Sequence, residues 1–156
     1  MFLVLFLILL LLLLMLLSFV FLLSLLISIL CGSPYVPTQK KNIRAILQFG
    51  GLSHNDILYD LGCGDGRILL SGVLDFGVRE AIGCEVSIWP YLKSLFLVKY
   101  RRLSHITITA KECRSVNIGR ATFIYLYLLP TLIDKIADKI TKEAPLKTKI
   151  LCVAFS

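Results

Sequence analysis

A chain of 156 residues that is 57% hydrophobic is too apolar to be disordered, and its net charge of +7 comes from 17 Lys and Arg against 10 Asp and Glu. All of those charges lie after residue 30, so the basic balance belongs to the roughly 125 residues that follow, enough for one domain and no more. Five cysteines without a C-x-x-C pair, and two isolated histidines, imply no metal centre and favour reduced, buried or half-buried thiols.

Residues 2–30 carry no charge, and only Ser18, Ser24 and Ser28 interrupt the Leu, Ile, Val, Phe and Met. A membrane-spanning helix needs about 20 apolar residues, so this run is long enough to cross with some tilt. A cleaved signal peptide would want a basic start and an apolar core of about 7–15 residues, and this run has neither. Leu30 stands where a lipoprotein site would put a small residue ahead of Cys31. The expectation is an uncleaved anchor over 1–31. Lys40, Lys41 and Arg44 follow it closely and no basic side chain precedes it. By the positive-inside tendency this makes a single-pass membrane chain with its C-terminal domain on the cytoplasmic side.

Behind the anchor, 33–37 reads as an extended connector punctuated by Pro34 and Pro37. Residues 38–49 look helical, with Ile43, Ile46, Leu47 and Phe49 at helical spacing and Gly50-Gly51 as the stop. Connector and helix make a segment 32–53 ahead of a domain over 54–156. In that domain the expected order is strand 56–61, helix 66–76, strand 79–85, helix 89–102, strand 106–109, strand 121–128, helix 132–143 and strand 148–154. Residues 121–128 are apolar and aromatic throughout, as a central parallel strand buried on both faces should be. Strands alternating with helices argue an α/β, Rossmann-like, doubly wound and mostly parallel sheet, with ligands at the carboxyl ends of its strands. His54 and His105 fall at turn-like positions before strands and read as surface histidines.

The most informative stretch is Asp60-Leu61-Gly62-Cys63-Gly64-Asp65-Gly66-Arg67, a strand end, a glycine turn and a helix start. Three alternating glycines remove Cβ atoms where the backbone turns sharply, and let a ligand approach closely. The helix start adds unpaired N–H groups and a positive dipole end. A dinucleotide turn has the spacing G-x-G-x-x-G and takes a pyrophosphate. Here the spacing is G-x-G-x-G, with Asp65 where it would repel phosphate, and Asp60 ends the strand. Two carboxylates suit a ligand carrying positive charge. A nucleotide cofactor and a structural glycine turn remain the competing readings.

This stretch resembles the first motif of class I S-adenosylmethionine (SAM) methyltransferases. The resemblance implies SAM as cofactor, with Asp60, Gly62, Cys63, Gly64, Asp65 and Gly66 around it. Glu85, at the end of the second strand, is placed to accept hydrogen bonds from both ribose hydroxyls, the role an acidic residue has in dinucleotide folds. Glu112 stands where the class commonly has an Asp bonding the adenine amino group. A narrower resemblance rests on Ser33-Pro34-Tyr35-Val36-Pro37-Thr38, the glycine turn, Gly83-Cys84-Glu85, and the run Ala121-Thr122-Phe123-Ile124-Tyr125-Leu126-Tyr127-Leu128-Leu129-Pro130. In that order they are similar to membrane-anchored protein-lysine methyltransferases of the mitochondrial ATP synthase c-subunit and adenine nucleotide translocase type, and their prokaryotic relatives. What this implies is a lysine acceptor on a membrane protein, with Tyr127 and Pro130 as walls of the acceptor site and Tyr35 over the cofactor. A membrane-resident small molecule such as a lipid or quinone is the alternative acceptor, and a non-catalytic SAM-binding membrane protein the third reading.

The chain departs from relatives at Glu112, at Asn117 and in Ala144-Pro145-Leu146-Lys147. Its sequence ends at Ser156, so the sheet is expected to lack the last strands of the complete class I arrangement. A basic domain beside a bilayer favours an anionic lipid surface as partner. Scattered positive residues without a recognisable nucleic-acid motif argue against DNA or RNA.

Overall fold

A computed structural model describes the backbone of residues 1–30 and the whole of residues 36–153. Helix α1 spans Phe2–Leu30, and among the described residues it is the one helix long and apolar enough to cross a membrane. It leads through the connector to α2 (Lys40–Phe49). Then come β1 (Ile57–Leu61), α3 (Arg67–Phe76), β2 (Glu80–Cys84), α4 (Ile88–Tyr100), β3 (Ile106–Thr109), β4 (Phe123–Leu126), α5 (Pro130–Glu143) and β5 (Lys149–Cys152). The sheet order is β3-β2-β1-β4-β5 and every pairing is parallel. The chain winds outward from β1 through β2 to β3 and then crosses to β4 on the other side, so the order reverses between β1 and β4 and opens a crevice at their carboxyl ends.

Alternation along the strands divides the core. Ile57, Tyr59 and Leu61 of β1 join Ile124 and Leu126 of β4 against Leu132, Ile136 and Ile140 of α5. Leu58, with Phe123 and Tyr125, packs on the other face against Ile43 and Leu47 of α2 and Ile68 and Leu69 of α3. Asp60 falls in phase with Leu58, two residues on, so it belongs to the α2/α3 side at the strand's carboxyl end.

Several element ends differ from the sequence expectation, each for a local reason. Helix α2 starts at Lys40 and not at 38, because the Thr38 carbonyl accepts from Arg67 and its hydroxyl pairs with Tyr125. Strand β4 is four residues and not eight, since β1 offers partners only for Phe123 to Tyr125 and β5 only for Phe123 to Leu126. The chain then leaves the sheet, and Pro130 at the first position of α5 begins that helix two residues early. A short 3-10 turn, Cys113–Ser115, occupies a stretch read as irregular. Cys63, Cys84 and Cys113 are buried, whereas Cys152 is exposed. His54 and His105 are exposed in turns. Cys31, Tyr35 and the end of the expected 148–154 strand lie outside the described residues.

Gly83 of β2 carries the closest approach in this packing. A Cβ there would meet Leu69 Cδ1 at 2.6 Å and Cys63 Sγ at 2.7 Å. The absence of a side chain thus lets α3 and the turn before it lie flat on β2. Gly83→Ala is expected to cost about 1–3 kcal/mol, the usual range for overpacking a filled core. The measurement is the urea midpoint, and an unchanged midpoint would mean that the turn has room to shift.

Candidate cofactor site

Between β1 and α3 the chain reverses through three residues of the left-handed region, Gly62 (φ 102°), Gly64 (φ 54°) and Gly66 (φ 76°). Side chains rarely adopt such angles, which explains the alternating glycines. Two backbone donors, Gly62 N–H and Cys63 N–H, share the Cys84 carbonyl at 3.0 and 2.9 Å. The end of β2 therefore holds the turn in place. The next residue of that strand end, Glu85, is 4% exposed. Gly64 N–H donates to its Oε2 at 2.8 Å and Ser87 N–H donates to its Oε1 at 2.7 Å. Each carboxylate oxygen keeps lone-pair capacity for a further donor.

Two clefts meet at this point, and Gly62 and Glu85 line both. The first runs from the connector (Val36, Pro37, Thr38) past Asp60, Cys63, Gly64 and Asp65 to Tyr125 and Tyr127. The second is bounded by Leu61, Cys84, Glu112, Cys113, Leu128 and Leu132. Of the residues singled out from sequence, Asp60, Gly62, Cys63, Gly64, Asp65, Glu85 and Tyr127 come together in the first cleft, and Glu112 lies across Gly62 in the second. Gly66 sits behind the turn, where a Cβ would come within 3.2 Å of Ser94 Cβ. Pro130 lines neither cleft and is exposed at the start of α5.

The two carboxylates of the turn have opposite surroundings. Asp60 is 2% exposed, and the described residues give its carboxylate no hydrogen bond. Burial, with the charges of Glu85 and Asp65 nearby, pushes its carboxyl well above the usual range. Burial also acts to raise Asp65, but its bonds to Arg67 and Lys93 outweigh that and hold it well below. Arg67 grips Asp65 with Nε and Nη2, each at 2.8 Å, and Lys93 of α4 donates to Oδ2 at 2.8 Å. The same guanidinium donates through Nη1 to the Thr38 carbonyl at 2.7 Å, tying the connector to the turn. Among the described residues Asp65 is thus already paired with cations, while Asp60 has no such partner.

Tyr125 and Arg67 are the site residues that sequence reading did not assign. Tyr125 is 1% exposed, and its hydroxyl lies 3.1 Å from Thr38 Oγ1. Burial pushes its phenol up to about 12, the Thr38 hydrogen bond only partly opposing. Arg67 had a signal in sequence, a cation directly behind the third glycine. Glu112 lies at the rim, paired with Arg114.

Residues 60–156 match the ANTKMT methyltransferase domain. The chain belongs to that family. A protein-lysine N-methyltransferase of Saccharolobus islandicus is 32% identical over 123 residues, which cover 78% of this chain and 76% of the relative. The lysine N-methyltransferase of the ATP synthase c-subunit from Xenopus laevis is 26% identical over 126 residues, covering 78% of this chain and 53% of that protein. The adenine nucleotide translocase lysine N-methyltransferase of Mus musculus is 24% identical over 123 residues with the same coverage, so this chain spans about half the length of the two vertebrate relatives. Among solved structures, an RNA methyltransferase from Salinibacter ruber in complex with S-adenosyl-L-homocysteine superposes with a TM-score of 0.69 at 27% identity, over 74% of this chain and 75% of that one. A B. subtilis tRNA methyltransferase at 19% identity, TM-score 0.62, covers 72% of this chain and 49% of its own, and shares the fold.

As a member of the ANTKMT methyltransferase family the chain is a class I methyltransferase using SAM. Its residues fit that cofactor on their own chemistry. Asp60, a buried carboxylate to which the described residues donate no hydrogen bond, is suited to a ligand bearing an ammonium and a sulfonium group. Glu85 has acceptor capacity left for two hydroxyls, and the glycine turn leaves room for a ligand against the backbone.

Proposed function

We propose that this chain methylates a lysine side chain of a membrane-associated protein, from a domain held on the cytoplasmic face by α1. The reading is carried by two buried carboxylates, Asp60 in the first cleft and Glu85 where the two clefts meet, in a chain whose relatives are named for lysine N-methylation. The anchor reading is supported by the length and apolarity of α1 and by Lys40, Lys41 and Arg44 directly behind it. An anchored domain meets acceptors in or on the same membrane.

In this reading Asp60 holds the cationic end of SAM, Glu85 the ribose hydroxyls, the turn from Gly62 to Gly66 the backbone approach, and Glu112 the adenine side. Bound SAM supplies a methyl group on a positively charged sulfur, open to in-line attack. The protein's part is to orient and to dry the acceptor. A lysine amine has a reference pKa near 10.4 and attacks only when neutral. Tyr125 and Tyr127 wall the first cleft at the end of β4, and an amine buried there loses water, which disfavours its charged form. Tyr125, with its phenol raised, keeps its proton and adds no negative charge that would stabilise that ammonium.

The test is incubation of the full chain, in vesicles containing cell membrane proteins, with SAM labelled in the methyl group. Label recovered as methyllysine after acid hydrolysis of the protein fraction is the expected result. Label confined to the lipid extract would replace the lysine with a small-molecule acceptor. Tight SAM binding with no label anywhere would leave a binding protein.

A further inference from the structure

Helix α4 presents an apolar face that the described residues leave largely exposed. Trp89 is 43% exposed, Leu92 49%, Phe96 66% and Tyr100 76%, with Ile88 beside them. The rings of Phe96 and Tyr100 stack at 5.8 Å between centroids. At about 100° per residue these five side chains fall within roughly a third of the helix circumference, opposite buried Pro90 and Ser94. An uncovered aromatic stripe of this length marks an interaction surface.

Three observations select its occupant. First, cations accompany the stripe: at the same angular increment Lys99 falls within its arc, between Ile88 and Leu92, Lys93 lies just beyond Tyr100, and Arg101 and Arg102 follow the helix C-terminus. Second, Arg101 continues into a surface cleft where Lys40 and Arg44 of α2 also sit, Asp75 being the acid among them. Third, α1, the candidate membrane span, packs against α4. Helix α4 itself carries no acidic residue, so a second copy of the chain would set like charges against like. Aromatic rings flanked by Lys and Arg match the headgroup layer of a bilayer, where rings sit at the interface and the cations meet anionic lipid.

We propose that α4 lies in the headgroup layer of an anionic membrane, with Trp89, Leu92, Phe96 and Tyr100 inserted and Lys99, Arg101 and the α2 cations on lipid phosphates. The inference deepens the membrane reading given above and rests on it. It adds a second attachment that fixes which side of the domain faces the lipid. Lys93 lies at the border of the stripe and also binds Asp65, so the docked helix touches the cofactor turn directly.

The chain has one tryptophan, Trp89, so its fluorescence reports α4 alone. The full chain is reconstituted in phosphatidylcholine vesicles with and without phosphatidylglycerol, and Trp89 is quenched either by lipids brominated near the headgroup or by aqueous acrylamide. In anionic vesicles brominated lipid is expected to remove about half or more of the emission, with acrylamide ineffective, as an interfacial ring at shallow depth requires. Lys99→Glu combined with Arg101→Glu is expected to lower the docked population about tenfold or more, with SAM binding retained as the check on folding. A chain that floats with vesicles while Trp89 stays open to acrylamide keeps its anchor and loses this proposal. Shielding from both quenchers would mean a protein contact covers the stripe, and would overturn it. Failure to float would remove both readings together. Docking unaffected by the double variant would sink the anionic part.

Discussion

Glu85→Ala is expected to weaken SAM binding about 100-fold or more, the largest effect of any single substitution in the site. Hydrogen bonds to a charged group contribute about 1.5–3 kcal/mol each, and two ribose hydroxyls would lose their acceptors together. The substitution also removes the acceptor from Gly64 N–H and Ser87 N–H, so the turn loses the bond that sets its position. Glu85→Gln is the sharper test. Each carboxylate oxygen already faces a backbone donor, so either orientation of the amide sets its NH2 against an N–H. One buried donor is then left unpaired, at a cost of about 1–3 kcal/mol. Gln is therefore expected to fail nearly as badly as Ala. Calorimetric titration of SAM, with thermal melts to check the fold, decides the matter; an affinity within about threefold of wild type for either variant would take Glu85 out of the site.

Asp60→Asn is expected to separate stability from binding. In the unfolded chain this carboxyl titrates near 3.8, and burial in the folded protein raises it well above that value. The folded state therefore holds the proton more tightly. Below the unfolded value both states are protonated and the site costs nothing. As pH climbs from there to the raised folded value the protein progressively loses stability, and above that window the penalty is constant. Asp56 and Asp65, both held low, act in the opposite sense: what they contribute is present above 3.8 and lost as pH falls through their folded values. Asn carries no charge to bury, so the variant is expected to be more stable than wild type at neutral pH without ligand, by about 1–3 kcal/mol. Its affinity for SAM should fall about tenfold or more, because the partner of the cationic group is gone. Proton release offers an independent readout. Below the raised value, a cation bound at Asp60 expels the proton, so the wild-type binding heat varies with buffer ionisation enthalpy and the variant's does not. A variant less stable than wild type, or equally tight for SAM, would show that the carboxylate is spoken for within the protein.

Much of this arrangement is written locally in the chain. The glycine turn is legible because its three positive-φ residues stand within five positions, and Glu85 because it ends the next strand. What sequence reading misses is what depends on distant partners. Thr38 reads as a helix start, yet it is occupied by Tyr125, 87 positions away, and by Arg67, 29 positions away. Asp65 reads as part of the ligand's surroundings, whereas Arg67 and Lys93 already neutralise it; Lys93, 28 residues on, is adjacent only because α4 folds back over the turn. Pro130 reads as a wall of the site from its place after β4, but it opens α5 exposed and outside both clefts. The stripe on α4 passes as an ordinary hydrophobic helix, because no pattern within the helix tells a covered apolar face from an open one.

The Cys84 carbonyl, shared by Gly62 and Cys63, and the Glu85 carboxylate, bound to Gly64, belong to consecutive residues of one strand end. Turn and clamp therefore form a single rigid unit anchored on the β1–β2 ladder. An incoming ligand meets a surface that is already formed, so little ordering entropy is lost on that side. The connector is held differently, through Thr38 to the side chains of Arg67 and Tyr125. Exchange of spent cofactor for fresh is then expected to follow how often those two side-chain contacts let go, and not movement of the glycine turn.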